Sequence, residues 1–147
     1  MGQKITLKNI KSLVESNTVL YSDAPSFLEH GIRVLTSNVS FLLSNGKTLT
    51  VERGFEWDEV SVPYIFQWAF PKSGKYAVSA LVHDALYYKK YNSRKFADNE
   101  FKKWMDVTIN ANQSWIRWAF VRAFGWVYWN KKPSIRLIEN QQFIKIK

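Results

Sequence analysis

The chain has 147 residues, a length that suits one domain with a buried core, and 46% of them are hydrophobic, which excludes disorder over most of it. Lys and Arg number 21 against 12 Asp and Glu; the net charge of +9 points to an acidic partner such as nucleic acid, an anionic membrane or an acidic protein surface. There is no cysteine, so disulfides and thiolate metal sites are excluded, and two histidines, His30 and His83, are too few for a His-rich metal site.

Residues 1–31 read as an N-terminal arm or irregular segment. Ile5, Leu7, Ile10, Leu13 and Val14 have roughly helical spacing, but lysines interrupt them and Asp23-Ala24-Pro25-Ser26 is a turn. The start lacks the long apolar core of a signal peptide. Residues 32–147 read as a single α+β domain. Its first part is a β-hairpin: Val39 to Leu43 and Thr48 to Glu52 alternate around Asn45-Gly46, a pair that suits a turn with positive φ at both central residues. Residues 55–75 form a long aromatic loop broken by Pro63, Pro71 and Gly74, expected to wall a cleft over the helices that follow.

Three helices are predicted next, and the loop is expected to pack on them. The first runs from Tyr76 to Lys90. The second runs from Arg94 to about Asn110 with Ser93 as its N-cap. The third runs from about Gln113 to Trp129 and is apolar nearly all round, which predicts a central core helix with Arg117 and Arg122 snorkelling to water; a membrane-interface helix or a subunit contact is the alternative, because Trp and Arg favour both. Large-to-small changes at Trp118 or Phe124 would then cost the fold heavily. Phe143 to Ile146 and Ile135 to Ile138 read as strand or ordered tail. No apolar run reaches membrane-spanning length.

The chemistry concentrates in Leu81-Val82-His83-Asp84-Ala85-Leu86-Tyr87 and in Ala97-Asp98 on the second helix. An antiparallel pair of helices brings Asp98 against His83. An imidazole held by one carboxylate with a second beside it can activate water or hold a metal. A satisfied core histidine is the plainer account of the same residues.

The run Gly54-Phe55-Glu56-Trp57-Asp58-Glu59-Val60-Ser61-Val62-Pro63, followed by His83-Asp84-Ala85-Leu86-Tyr87 and Ala97-Asp98, resembles a family of small phage and prophage proteins, domain of unknown function 1353. That resemblance implies a phage origin and no established activity. The helix pair also resembles the core of A-two-type phospholipases, with His-Asp-x-x-Tyr on one helix and an Asp on the next. This second resemblance implies His83 as the base, Asp98 as the residue orienting it, Asp84 as a calcium ligand and Tyr87 as a companion. The chain lacks those enzymes' Gly-rich calcium loop, so Asp58 and Ser61 are the candidates to complete a metal site.

The expected function is a phage virion-associated or accessory protein with a structural or interaction role, its partners other phage structural proteins. It would reside in the virion or the host cytoplasm. The alternative is a phospholipase-like hydrolase, calcium-dependent, acting on host envelope lipid through the His-Asp pair. A second alternative, a nucleic-acid-binding accessory protein, rests on charge alone.

Overall fold

The computed structural model describes residues 3–10, 21–23, 32–58, 77–130 and 141–147. In chain order the described strands are β1 (Gln3–Ile5), β2 (Tyr21–Asp23), β3 (Ile32–Leu35), β4 (Val39–Leu42), β5 (Thr48–Val51) and β6 (Glu56–Asp58), with β7 (Ile144–Ile146) after the helices. The described helices are α1 (Ala77–Lys89), α2 (Arg94–Thr108), α3 (Ala111–Phe124) and the short α4 (Trp126–Trp129). The protein is thus α+β, with a mixed four-stranded sheet in the order β1-β4-β5-β7, a three-stranded sheet β2-β3-β6, and three main helices.

The hairpin β4–β5 forms as expected, with Phe41 opposite Leu49 and Val39 opposite Val51. Alternate residues point to one face, so Ile5, Val39, Phe41, Leu49, Val51 and Ile144 are all buried. The other face is polar, where the Ser40 and Thr50 hydroxyls meet at 3.0 Å. The turn differs from the expected one. Only Gly46 has a positive φ, +82°. Its N–H donates to Leu43 O at 3.0 Å, and Leu43 N–H donates to Lys47 O at 2.8 Å. This is a type I turn closed by a left-handed glycine, a three-residue loop rather than a two-residue one. Asn45 acts through its side chain: Oδ1 accepts from Lys47 N–H at 3.1 Å and Nδ2 donates to Tyr91 Oη at 2.8 Å.

Within the segment expected to be an arm, β1 is an edge strand, running parallel to β4 with Ile5 beside Phe41. Burial of Ile5 and Ile10 ties it to the core. The C-terminal strand forms as expected, antiparallel to β5. The segment expected to be a loop from residue 55 begins instead with strand β6, antiparallel to β3; the rest of it, with Ser61, lies outside the described residues, as does Ile135 to Ile138.

The third predicted helix is not the core helix. It breaks at Gly125 into α3 and α4, and its buried residues in α3 are Ser114 and Arg117. Trp115 is 58% exposed, Trp126 55% and Phe124 45%, and Trp118 is only half-buried. The central helix is α1, where Val78, Ser79, Ala80, Leu81, Val82, His83, Ala85 and Leu86 are all buried. Small side chains at Ser79, Ala80 and Ala85 let neighbours approach α1 from several sides. The bulkier α3 lies over α2 by one side only. The sheet meets the helices through Phe41 and Trp104, whose rings meet edge to face at 5.3 Å, and through Phe55 and Tyr88 at 5.6 Å.

Candidate functional site

The site is built by the turn between α1 and α2. Tyr91 N–H donates to Leu86 O and Lys90 N–H to Tyr87 O, each at 3.1 Å, with Lys90 left-handed at φ 48°. This is a Schellman ending with lysine where glycine is usual. Asn92, at φ 61°, completes the reversal. Ser93 then caps α2, its hydroxyl accepting from Phe96 N–H at 3.1 Å. The chain returns with Asp98 facing His83.

Asp98 is fully buried and its carboxylate is shared by four donors. Oδ1 lies 2.8 Å from His83 Nε2 and accepts the Tyr87 hydroxyl at 2.6 Å. Oδ2 accepts Arg122 Nη1 at 2.8 Å and Arg94 Nη1 at 3.2 Å. Arg94 also donates to Val121 O at 2.9 Å and Arg122 O at 3.1 Å, near the C-terminal end of α3. Val121 O already accepts the Gly125 N–H at 2.8 Å, and a cation at this end of α3 also suits the helix dipole. One carboxylate therefore joins α1, α2 and α3.

A carboxylate in that company is an acceptor only, so Nε2 of His83 carries the proton and Nδ1 is the basic nitrogen of the neutral ring. Nδ1 lies 3.8 Å from Asp84 Oδ1, beyond hydrogen-bond reach but close enough for charge to act. The ring lies between Tyr87, at a centroid distance of 4.2 Å, and Phe101, at 4.7 Å. His83 is 8% exposed. Burial disfavours the charged imidazolium, but the carboxylates of Asp84 and Asp98 outweigh it and raise the His83 pKa above its usual 6.5. Burial and the Asp98 carboxylate push the Tyr87 phenol well above its usual range, with Arg94 pulling the other way. Tyr87 stays a donor at any ordinary pH.

Of the residues singled out in the sequence, His83, Tyr87 and Asp98 are in direct contact and Asp84 is beside the ring. Asp58 lies in β6, where only the backbone is described. Arg94 and Arg122 were missed as members of the site. Arg94 stands four residues before Asp98, a spacing that puts the two on one helix face. Arg122 gave a weaker signal, a cation in an otherwise apolar stretch. Glu100 was also missed: it is 1% exposed, accepts from the hairpin's Ser44 N–H at 2.9 Å and pairs with Lys103 at 2.7 Å.

Calcium takes six to eight oxygens. The four donors occupy Asp98, which leaves Asp84 as the carboxylate beside the ring. Among the described residues no group of three or more His, Asp or Glu is arranged to hold a metal. The described donor set does not fit calcium.

Residues 33–121 match the model of a family described as Protein of unknown function (DUF1353). No curated protein and no solved structure gives a significant match.

Proposed function

The chain belongs to the family described as Protein of unknown function (DUF1353), and from its site we propose a hydrolase in which His83 activates water. The observation that carries this is the division of labour on the ring. Nε2 is fixed by Asp98 at 2.8 Å, while Nδ1 is left basic on the side of Asp84. A water at Nδ1 would give up a proton to it as its oxygen bonds to an ester carbon. The imidazolium would then return that proton to the leaving alcohol. Asp98 holds the tautomer and stabilises the charged ring, while Tyr87 fixes Asp98. The likeness of His83-Asp84-x-x-Tyr87 and Asp98 to A-two-type phospholipases suggests a phospholipid ester of the host envelope.

Fatty-acid release from anionic phospholipid vesicles, with and without calcium, tests this. The wild-type protein is expected to release fatty acid. His83→Ala should lower the rate by roughly 100-fold or more, the usual worth of a positioned base. A folded wild-type protein silent across several lipids sinks the proposal.

A second reading is favoured by a different observation: Asp98 receives donors from three helices, which is what a structural clamp needs. On that reading the chain is a phage virion-associated or accessory protein whose partners are other phage proteins, and His83 only braces α1 against α2.

A further inference from the structure

The outward side of α3 and α4 is apolar at nearly every position. Trp115, Ile116, Ala119, Phe120, Ala123 and Phe124 follow each other at helical spacing along one side. Gly125 keeps right-handed helical torsions, φ −62° and ψ −20°, and Trp126, Val127 and Tyr128 follow it. Six large side chains on this ridge are exposed: Trp115 58%, Trp126 55%, Val127 50%, Phe124 45%, Tyr128 41% and Ile116 39%. At 1.5 Å per residue the ridge is about 20 Å long. Exposed apolar surface on this scale marks a contact site.

Charge narrows the occupant. From Val107 to Ile138 the sequence holds no Asp or Glu, and Lys131, Lys132 and Arg136 follow the ridge in sequence; Arg117 is buried and Arg122 is paired with Asp98. With a net charge of +9, a second copy of the chain is repelled and an anionic surface attracted. Nucleic acid would leave the apolar ridge with nothing to bury it, whereas a bilayer takes up apolar side chains and offers anionic headgroups beside them. A protein partner would be met by a polar rim with directional hydrogen bonds. Trp and Tyr on an otherwise apolar helix of a cationic chain suit the headgroup boundary of a bilayer.

We propose that the α3–α4 ridge docks the protein on an anionic lipid surface, with the aromatic side chains at the headgroup boundary. No described helix is long and apolar enough to cross a membrane, so this is docking in the plane. It does not rest on water activation at His83, and binding without turnover would stand by itself.

Co-sedimentation with phosphatidylglycerol vesicles and with phosphatidylcholine vesicles tests it, followed by the shift of tryptophan emission. Wild-type protein should bind the anionic vesicles more tightly, with a blue shift. Trp115→Ser and Trp126→Ser, both at exposed positions, should each weaken binding by roughly tenfold, as loss of one large apolar contact does. His83→Ala should bind as wild type, which separates this surface from the candidate site. The proposal is overturned if wild type binds neither vesicle, or if the serine variants bind as tightly as wild type. It is equally overturned if sedimentation velocity shows a dimer that Trp126→Ser dissolves, since the ridge would then belong to a second copy.

Discussion

At Asp98 a carboxylate with no solvent exposure is reconciled with the fold by four donors, two of them arginines. Replacing Asp98 by Ala leaves Arg94 and Arg122 without their anion in a largely buried place. Removing one partner of a buried ion pair costs about 3–5 kcal/mol. Urea denaturation of Asp98→Ala should show a loss of that order. His83→Ala should cost less, because it removes one of four donors and no charge partner of the arginines. Equal losses for the two variants would mean that the arginine pairs contribute little. Spacing made half of this cluster legible in the sequence: His83 and Tyr87 are one turn apart, and an antiparallel return brings up Asp98. Arg122 was not legible, because its partner lies across a tertiary contact that no local pattern encodes.

The helices show why an apolar sequence does not by itself identify the core. Both α1 and the α3–α4 stretch are apolar nearly all round, yet α1 is central and α3 is buried mainly at Ser114 and Arg117. What separates them is side-chain size, since α1 carries small residues that admit neighbours on several sides. The hairpin was legible because a period of two and an Asn-Gly pair are local signals, though the turn type was not. The junction of α3 and α4 offers a test of the packing against α1. A Cβ added at Gly125 would overlap both the Tyr87 hydroxyl and the Val121 backbone carbonyl and lie 3.3 Å from Arg94 Nη1. Gly125→Ala should therefore destabilise by about 1–3 kcal/mol, the usual cost of overpacking. Tyr87→Phe in the same chain removes the hydroxyl and should recover part of the loss. Calorimetric melting of the two single variants and the double variant reads this coupling. Strictly additive losses would place the strain on the Val121 carbonyl, which Tyr87→Phe does not relieve.

Across the whole molecule, titration of His83 links stability to the proposed chemistry, with opposite signs. The groups facing the ring are the carboxylates of Asp84 and Asp98, the Tyr87 phenol, and the guanidinium groups of Arg94 and Arg122 that share Asp98. Because the folded pKa is raised above 6.5, the folded protein holds the His83 proton more tightly than the unfolded chain. Stability from this group is fully present below the unfolded pKa of 6.5 and is lost as pH rises through the folded value. A water-activating His83 behaves the other way, since only the neutral ring accepts a proton. Its rate should rise over the same interval in which that stability falls. Denaturation of wild type and His83→Gln across a pH series gives the first curve, as the difference between the two proteins. The ascending limb of wild-type ester hydrolysis gives the second. The rate midpoint should fall at the folded pKa, at the upper end of the interval above pH 6.5 over which the stability difference is lost. A rate midpoint at or below pH 6.5, before the stability difference has begun to fall, would assign the base to another group and leave His83 as part of the clamp.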